Sequence, residues 1–112
     1  MGGGRVACKI METMRPDNII KQAADFYGVT PADILSNKRH RIYADCRTVI
    51  CYVLCVGMGL PAIRVGALLN RTHVTVLYHI AKGRDWLQMP MLNNRGAAVI
   101  GYMMEMLRQK SA

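Results

Sequence analysis

The amino-acid sequence predicts an all-α domain of about six helices organised around a helix-turn-helix. Three observations carry that prediction. Apolar residues recur at helical spacing along most of the chain. No run shows sustained strand alternation. Two helical stretches are joined only by the tight turn Asn70-Arg71-Thr72. The chain has 112 residues and is 52% apolar, enough for one domain with a real core and too much for disorder.

The elements follow in order. Residues 1–15 read as a flexible N-terminal arm because Gly2, Gly3 and Gly4 open it, with a short helix over 6–14 as the alternative. Residues 16–112 read as the single domain. Ile19, Ile20, Ala23, Phe26 and Tyr27 give a first helix over 16–27, and Gly28 supplies the left-handed residue that ends it. Thr30 is a natural N-cap, Pro31 fits the first helical position, and Asp33 suits the positive first turn. A short helix to 35 or 36 follows. The basic stretch Asn37-Lys38-Arg39-His40-Arg41 leads into a long helix over 41–57. Its second half, Val49 to Val56, is apolar on all sides and predicts the central buried helix. Gly57-Met58-Gly59 breaks it. Leu60-Pro61 opens the next helix, which ends near 69, with Ile63, Gly66, Ala67 and Leu69 as contact positions. Thr72 caps a helix over 73–85 in which Trp86, just beyond, is expected in the core. After Met89-Pro90 a last amphipathic helix spans 95–109, with Val99, Met103, Met106 and Leu107 inward.

Lys plus Arg number 15 against 7 for Asp plus Glu, a formal charge of +8. Such a surplus favours a polyanionic partner. The longest apolar run, Val49 to Met58, is about half of what a membrane span needs, and the start of the chain lacks the apolar stretch of a secretory signal. Val6 stands where a myristoylation signal wants Ser or Thr. No membrane association is expected. Cys8, Cys46, Cys51 and Cys55 match no CxxC metal spacing and read as small buried hydrophobes of a reducing cytosol. A two-thiolate site at Cys51 and Cys55, one turn apart, is the alternative. No metal and no cofactor are expected. His40, His73 and His79 are the only histidines and Glu12 and Glu105 the only glutamates, so clustered catalytic carboxylates are lacking, and no phosphate loop occurs. The chain is not expected to be an enzyme. With five Tyr, one Phe and one Trp it also lacks the interleaved stacking platform of an RNA binder.

The helix opened by Thr72 is the most informative. At 100° per residue Leu77, Ile80 and Ala81 cluster on one side and are expected to pack inward. Thr72, Thr75, His79 and Lys82 cluster on the other, with Val76 beside them. Hydroxyls and an imidazole can bond base edges, Val76 can touch a thymine methyl, and Arg71 is set to grip a backbone phosphate. On this helix alone an amphipathic surface helix with a merely solvated polar face stays open. The basic run 38–41 and the net charge favour double-stranded DNA.

The segment Asn70-Arg71-Thr72-His73-Val74-Thr75-Val76-Leu77 resembles the signature of the C-terminal DNA-binding domain of the bacterial replication initiator DnaA, roughly Gly-Arg-Asp-His-Thr-Thr-Val-Leu followed by His. Upstream, Asp33-Ile34-Leu35-Ser36 and Lys38-Arg39-His40-Arg41 resemble the family's Asp-Leu-Leu-Ser segment and Arg-rich turn, and Arg47 matches the arginine of the next helix. The resemblance is in register over about residues 17–88. It implies a helix-turn-helix of the DnaA C-terminal, Trp-repressor-like type that binds duplex DNA in sequence-specific fashion. It implies that Arg39 enters the minor groove over A·T-rich DNA, with Arg41 in the same basic turn a further DNA-binding residue. It implies that His73 reads a base, that Arg71 and Thr75 touch the backbone, and that Leu60 and Pro61 open the first helix of the motif beside a phosphate. Thr72, Val74, Val76, His79 and Lys82 complete the expected DNA-binding set.

Departures from the family pattern matter. Thr72 replaces an Asp that accepts a hydrogen bond from a base, and Val74 replaces a base-contacting Thr. Thr donates where Asp cannot, and Val does neither, so the family's usual nonamer does not carry over to this chain as its assumed target. Asn70 replaces the usual Gly-Gly at the turn, compensated by an extra residue near Arg64. The expectation is a stand-alone DnaA-like module, acting as a monomer in the cytoplasm at the nucleoid in replication or transcription control. The rival reading is a domain of the same fold repurposed to bind a replication or regulatory protein.

Overall fold

The computed structural model describes residues 15–111. Apart from Arg15, the expected arm lies outside the described residues. Six α-helices occur among them, and no strand: α1 (Pro16–Tyr27), α2 (Pro31–Leu35), α3 (Arg41–Tyr52), α4 (Ala62–Leu69), α5 (His73–Gln88) and α6 (Asn94–Ser111). The chain continues from α3 through a π-helical turn, Val53–Gly57, and from α5 through a 3₁₀ turn, Pro90–Leu92.

Local chemistry explains the boundaries. Gly28 takes φ 68°, and its neighbour Val29 donates back to the Ala24 carbonyl at 3.0 Å. At α2 the amide of Asp33 donates to Thr30 Oγ1 (3.2 Å) while the Thr30 amide donates to the Asp33 carboxylate (3.3 Å), a reciprocal capping box. Thr72 accepts from the Thr75 amide at 3.3 Å to start α5. Helix α6 begins at Asn94, where the Asn93 side chain accepts from Gly96 N (2.8 Å) and also donates to Asp45 on α3 (3.2 Å).

Helix α3 is the hub, and every other helix packs on it. Cys46, Thr48, Val49, Ile50 and Cys51 of α3 and Val53 and Leu54 of the π-helical turn are fully buried, but Tyr52 and Cys55 are only half-buried and Val56 is 46% exposed, so the segment expected to be buried on all sides keeps one edge at the surface. Burial pushes the Cys46 thiol up to about 12 and raises Cys51 and Cys55 as well, so these cysteines act as small apolar groups rather than thiolates. Cys8 lies outside the described residues. Trp86 is buried, and Val99, Met103 and Leu107 of α6 face the core, whereas Met106, expected with them, is only half-buried.

Three expectations need correction. Phe26 lies against the ring of Tyr102 at the surface instead of in the core. Ile63 is 73% exposed, and Ala67 is exposed too, because α4 turns Val65, Gly66 and Leu69 inward. Helix α5 extends to Gln88, three residues past its expected end.

Candidate nucleic-acid interface

The site is built from the turn outward. The Arg71 amide donates to the Gly66 carbonyl at 2.8 Å, and Asn70 takes the left-handed conformation (φ 60°, ψ 39°) that a non-glycine residue adopts best as Asn. A Cβ on Gly66 would lie 2.5 Å from the Arg71 carbonyl oxygen, so the close approach of the turn to α4 requires glycine there. This turn fixes the angle at which α5 leaves α4.

The face that α5 turns inward differs from the expected one. Val76 is fully buried and His79 is 7% exposed, with Gly83 and Trp86 on the same arc. Gly83 lets α5 come close to α3: a Cβ there would meet the Tyr52 side chain at 3.1 Å. Leu77 and Ala81, expected inside, are exposed together with His73, Val74 and Tyr78. Val76 and His79 therefore leave the candidate reading face. The physical reason for His79 is a buried partner: its Nδ1 lies 2.7 Å from Thr48 Oγ1, and that hydroxyl donates to the Ala44 carbonyl at 3.1 Å. In this bond the ring donates or accepts according to its tautomer. Burial first, then the positive charges of Lys82, Arg47 and Arg71, hold its pKa down at about 4.

Thr72 and His73 stay exposed at the start of α5, and Thr75 is half-buried with its hydroxyl 3.1 Å from that of Thr72. Lys82 is half-buried, its ammonium 5.7 Å from the Trp86 ring centroid and 6.0 Å from that of Tyr78.

The basic loop is tied to this helix by two arginines. Arg47 is buried, and its guanidinium donates to the carbonyls of Ile34 (2.9 Å), Ser36 (3.0 Å) and Lys38 (3.1 Å). Arg71 donates to the same Ser36 carbonyl at 2.6 Å and to Asn70 O at 3.0 Å. Carbonyl acceptors fix both guanidiniums without neutralising them. An open cleft of about 570 Å³ results, lined by Asn37, Arg39, Arg47, Asn70, Arg71, Thr75 and His79. Arg39 and Arg41 are exposed at the loop. Leu60 is half-buried against the core, its amide donating to Leu54 O (3.1 Å), and Pro61 is the exposed N-cap of α4, which has no side-chain cap. No Asp or Glu occurs between Asp45 and Asp85. Asp33, the acidic residue nearest in sequence on the loop side, is occupied by Thr30 and by Lys38 at 3.7 Å. The described residues hold no group of three His, Cys, Asp or Glu arranged for a metal ion.

Sequence reasoning assigned Arg47 only by match and missed that it anchors the loop. It also missed the outward turn of Leu77 and Tyr78. The arc Val76, Gly83, Trp86 was a usable signal, since a glycine one turn from a tryptophan marks a close approach.

The family described as "Bacterial dnaA protein helix-turn-helix" matches residues 16–82, from the start of α1 into the middle of α5. Chromosomal replication initiator protein DnaA 2 of Chlamydia caviae is 32% identical over 74 residues, covering 64% of this chain and 16% of that protein. Chromosomal replication initiator protein DnaA 1 of Chlamydia pneumoniae is 33% identical over 67 residues (60% and 15%), and its counterpart in Chlamydia muridarum is 30% identical over the same length (60% and 15%). The chain thus spans about one-sixth of the length of the curated relatives it matches. With more than half of its length matched by that family, and with the tight turn and helix pair built as described, this chain belongs to the bacterial DnaA helix-turn-helix family.

Proposed function

We propose that this domain binds double-stranded DNA in sequence-specific fashion, with the start of α5 in the major groove and Arg39 in the adjacent minor groove. The observation that carries this reading is the charge layout around one exposed helix start. Thr72, His73 and Val74 face solvent, Arg39 and Arg71 flank them across one cleft, and no carboxylate lies between Asp45 and Asp85. A helix of this width fits the major groove, and its first residues reach base edges. His73 and Thr72 serve as hydrogen-bonding readers. Arg71 and Thr75, with the uncapped amides that follow Pro61, hold the phosphate backbone. Arg41 and Lys82 add to the attractive field. The named relatives are chromosomal replication initiators, which favours a role in replication or transcription control at the bacterial nucleoid, as a monomer on one asymmetric site.

Fluorescence anisotropy on a random duplex between about 50 and 200 mM salt tests the electrostatic half. Each phosphate neutralised adds about 0.9 to the log–log salt slope, so Arg39→Ala is expected to lower the slope by about one. A flat response in the wild type rejects DNA binding. On a site selected from randomised duplexes, His73→Ala is expected to cost about 1–3 kcal/mol while random duplex is little affected. Equal losses on both DNAs would remove His73 as a reader.

A further inference from the structure

We propose that Val74, with Leu77 one turn behind it, reads the C5-methyl groups of thymine, so that the preferred duplex carries thymines under the first two turns of α5. The inference rests on the DNA-binding reading above and supplies the base class that the helix selects.

Val74 is 63% exposed and Leu77 53% exposed, on the same outward face as His73. Burial of this helix is complete without them: Val76, His79, Gly83 and Trp86 fill the opposite arc. Val74 and Leu77 are neighbours on this face, three residues apart, so they offer one continuous aliphatic surface that gains by being covered when the helix start meets a ligand. In the major groove of unmodified DNA the apolar group presented at the base edges is the thymine methyl, while cytosine shows only an amino donor and a ring hydrogen there. Val74 carries no hydrogen-bonding atom and has a stiff χ1, so it presents a fixed hydrocarbon surface to the groove. Leu77 lies one turn behind His73 and beside Val74 on the helical wheel. The face therefore offers the imidazole of His73 for hydrogen bonding and the aliphatic groups of Val74 and Leu77 for methyls, with the exposed Tyr78 ring one turn behind Val74.

Deoxyuridine isolates the methyl, because it preserves every hydrogen-bonding group of thymine. The selected duplex is compared with the same duplex carrying deoxyuridine at each thymine, with wild type, Val74→Ala and Leu77→Ala, at one fixed salt concentration. Wild type is expected to lose about fourfold in affinity for each methyl it contacts. Val74→Ala is expected to bind the thymine duplex more weakly and to lose less than wild type on going to deoxyuridine. Both substituted positions are exposed, and unchanged thermal unfolding of the variants verifies an intact fold. Equal binding of wild type to both duplexes overturns the proposal and leaves the DNA-binding reading standing; it is also the result expected if the aliphatic face docks on a protein. Equal deoxyuridine losses in all three proteins overturn it too, because the effect then belongs to duplex shape. Absence of binding to any duplex defeats the DNA-binding reading and this inference with it.

Discussion

His73 and His79 sit six residues apart on one helix, yet their surroundings give them different chemistry. His73 is exposed at the first turn of α5. His79 is buried against Thr48, and its pKa is held down at about 4 by burial and by Lys82, Arg47 and Arg71. That depression makes folding pH-dependent in a definite direction. Below about 6.5 the unfolded chain takes up a proton at this ring, whereas the folded chain does so only near 4. The stability contributed by neutral His79 is therefore present above about pH 6.5 and is lost as pH falls through that window. Urea unfolding at pH 7 and pH 5 is expected to show a loss of about 2 kcal/mol in wild type, at 1.36 kcal/mol per pH unit. His79→Leu is expected to flatten that difference, since the Thr48 hydroxyl keeps its bond to Ala44 O. The same loss in both proteins would show that His79 is not the responsible group. The orientation of this ring was not legible in the sequence. A wheel drawn by residue type counts imidazole as polar and turns it outward with Thr72 and Thr75. The hydroxyl that satisfies it belongs to a residue 31 positions away, and only the packing of α5 on α3 brings the two together.

Helix starts and stops were the most legible elements, because their causes lie within four residues. Gly28, the Thr30–Asp33 capping box and Thr72 each act through bonds to immediate neighbours, and each appears where the sequence puts it. The π-helical turn Val53–Gly57 was not legible, since it depends on how the end of α3 meets α6 and the chain leading to α4. Gly66 falls between these cases. Sequence reasoning marks it as a small contact residue, and the structure gives the stricter reason: its missing Cβ makes room for the Arg71 carbonyl. Gly66→Ala is therefore expected to destabilise by about 1–3 kcal/mol, against the usual gain for alanine in a helix. It is also expected to weaken duplex binding in conditions where the variant is still folded, because the turn that aims α5 must open. Gly101→Ala is the matched control. It lies within α6 with nothing within 4 Å of the added Cβ, and a gain of about 0.5–1 kcal/mol is expected. Denaturant midpoints for the two variants decide the matter: a shift of equal sign would mean that the turn does not depend on this glycine.

At the scale of the whole molecule, composition reveals the sign and size of the charge but not where it converges. The basic run 38–41 and Arg71 are at least 30 residues apart in sequence, and they meet because Arg47 and Arg71 share the Ser36 carbonyl. Arg47 donates to the Asp33 and Ile34 carbonyls at the end of α2 and to the Ser36 and Lys38 carbonyls of the loop, and one residue thus positions a segment that carries Lys38, Arg39 and Arg41. Field and geometry can be separated at this residue without changing net charge. Arg47→Lys keeps the +1, but a compact ammonium cannot reproduce a planar fork bonded to Ile34, Ser36 and Lys38. If the overall field of +8 alone drew DNA to this surface, the variant would bind random duplex with wild-type affinity and an unchanged salt slope. If binding depends on the loop being held beside the start of α5, affinity falls and the slope drops by about one as the Arg39 contact is lost. The second outcome is expected. The lost carbonyl bonds are also expected to lower stability by about 1–3 kcal/mol, so affinity is measured well below the unfolding midpoint, where a folded variant with weakened binding and unaltered net charge can arise only from geometry.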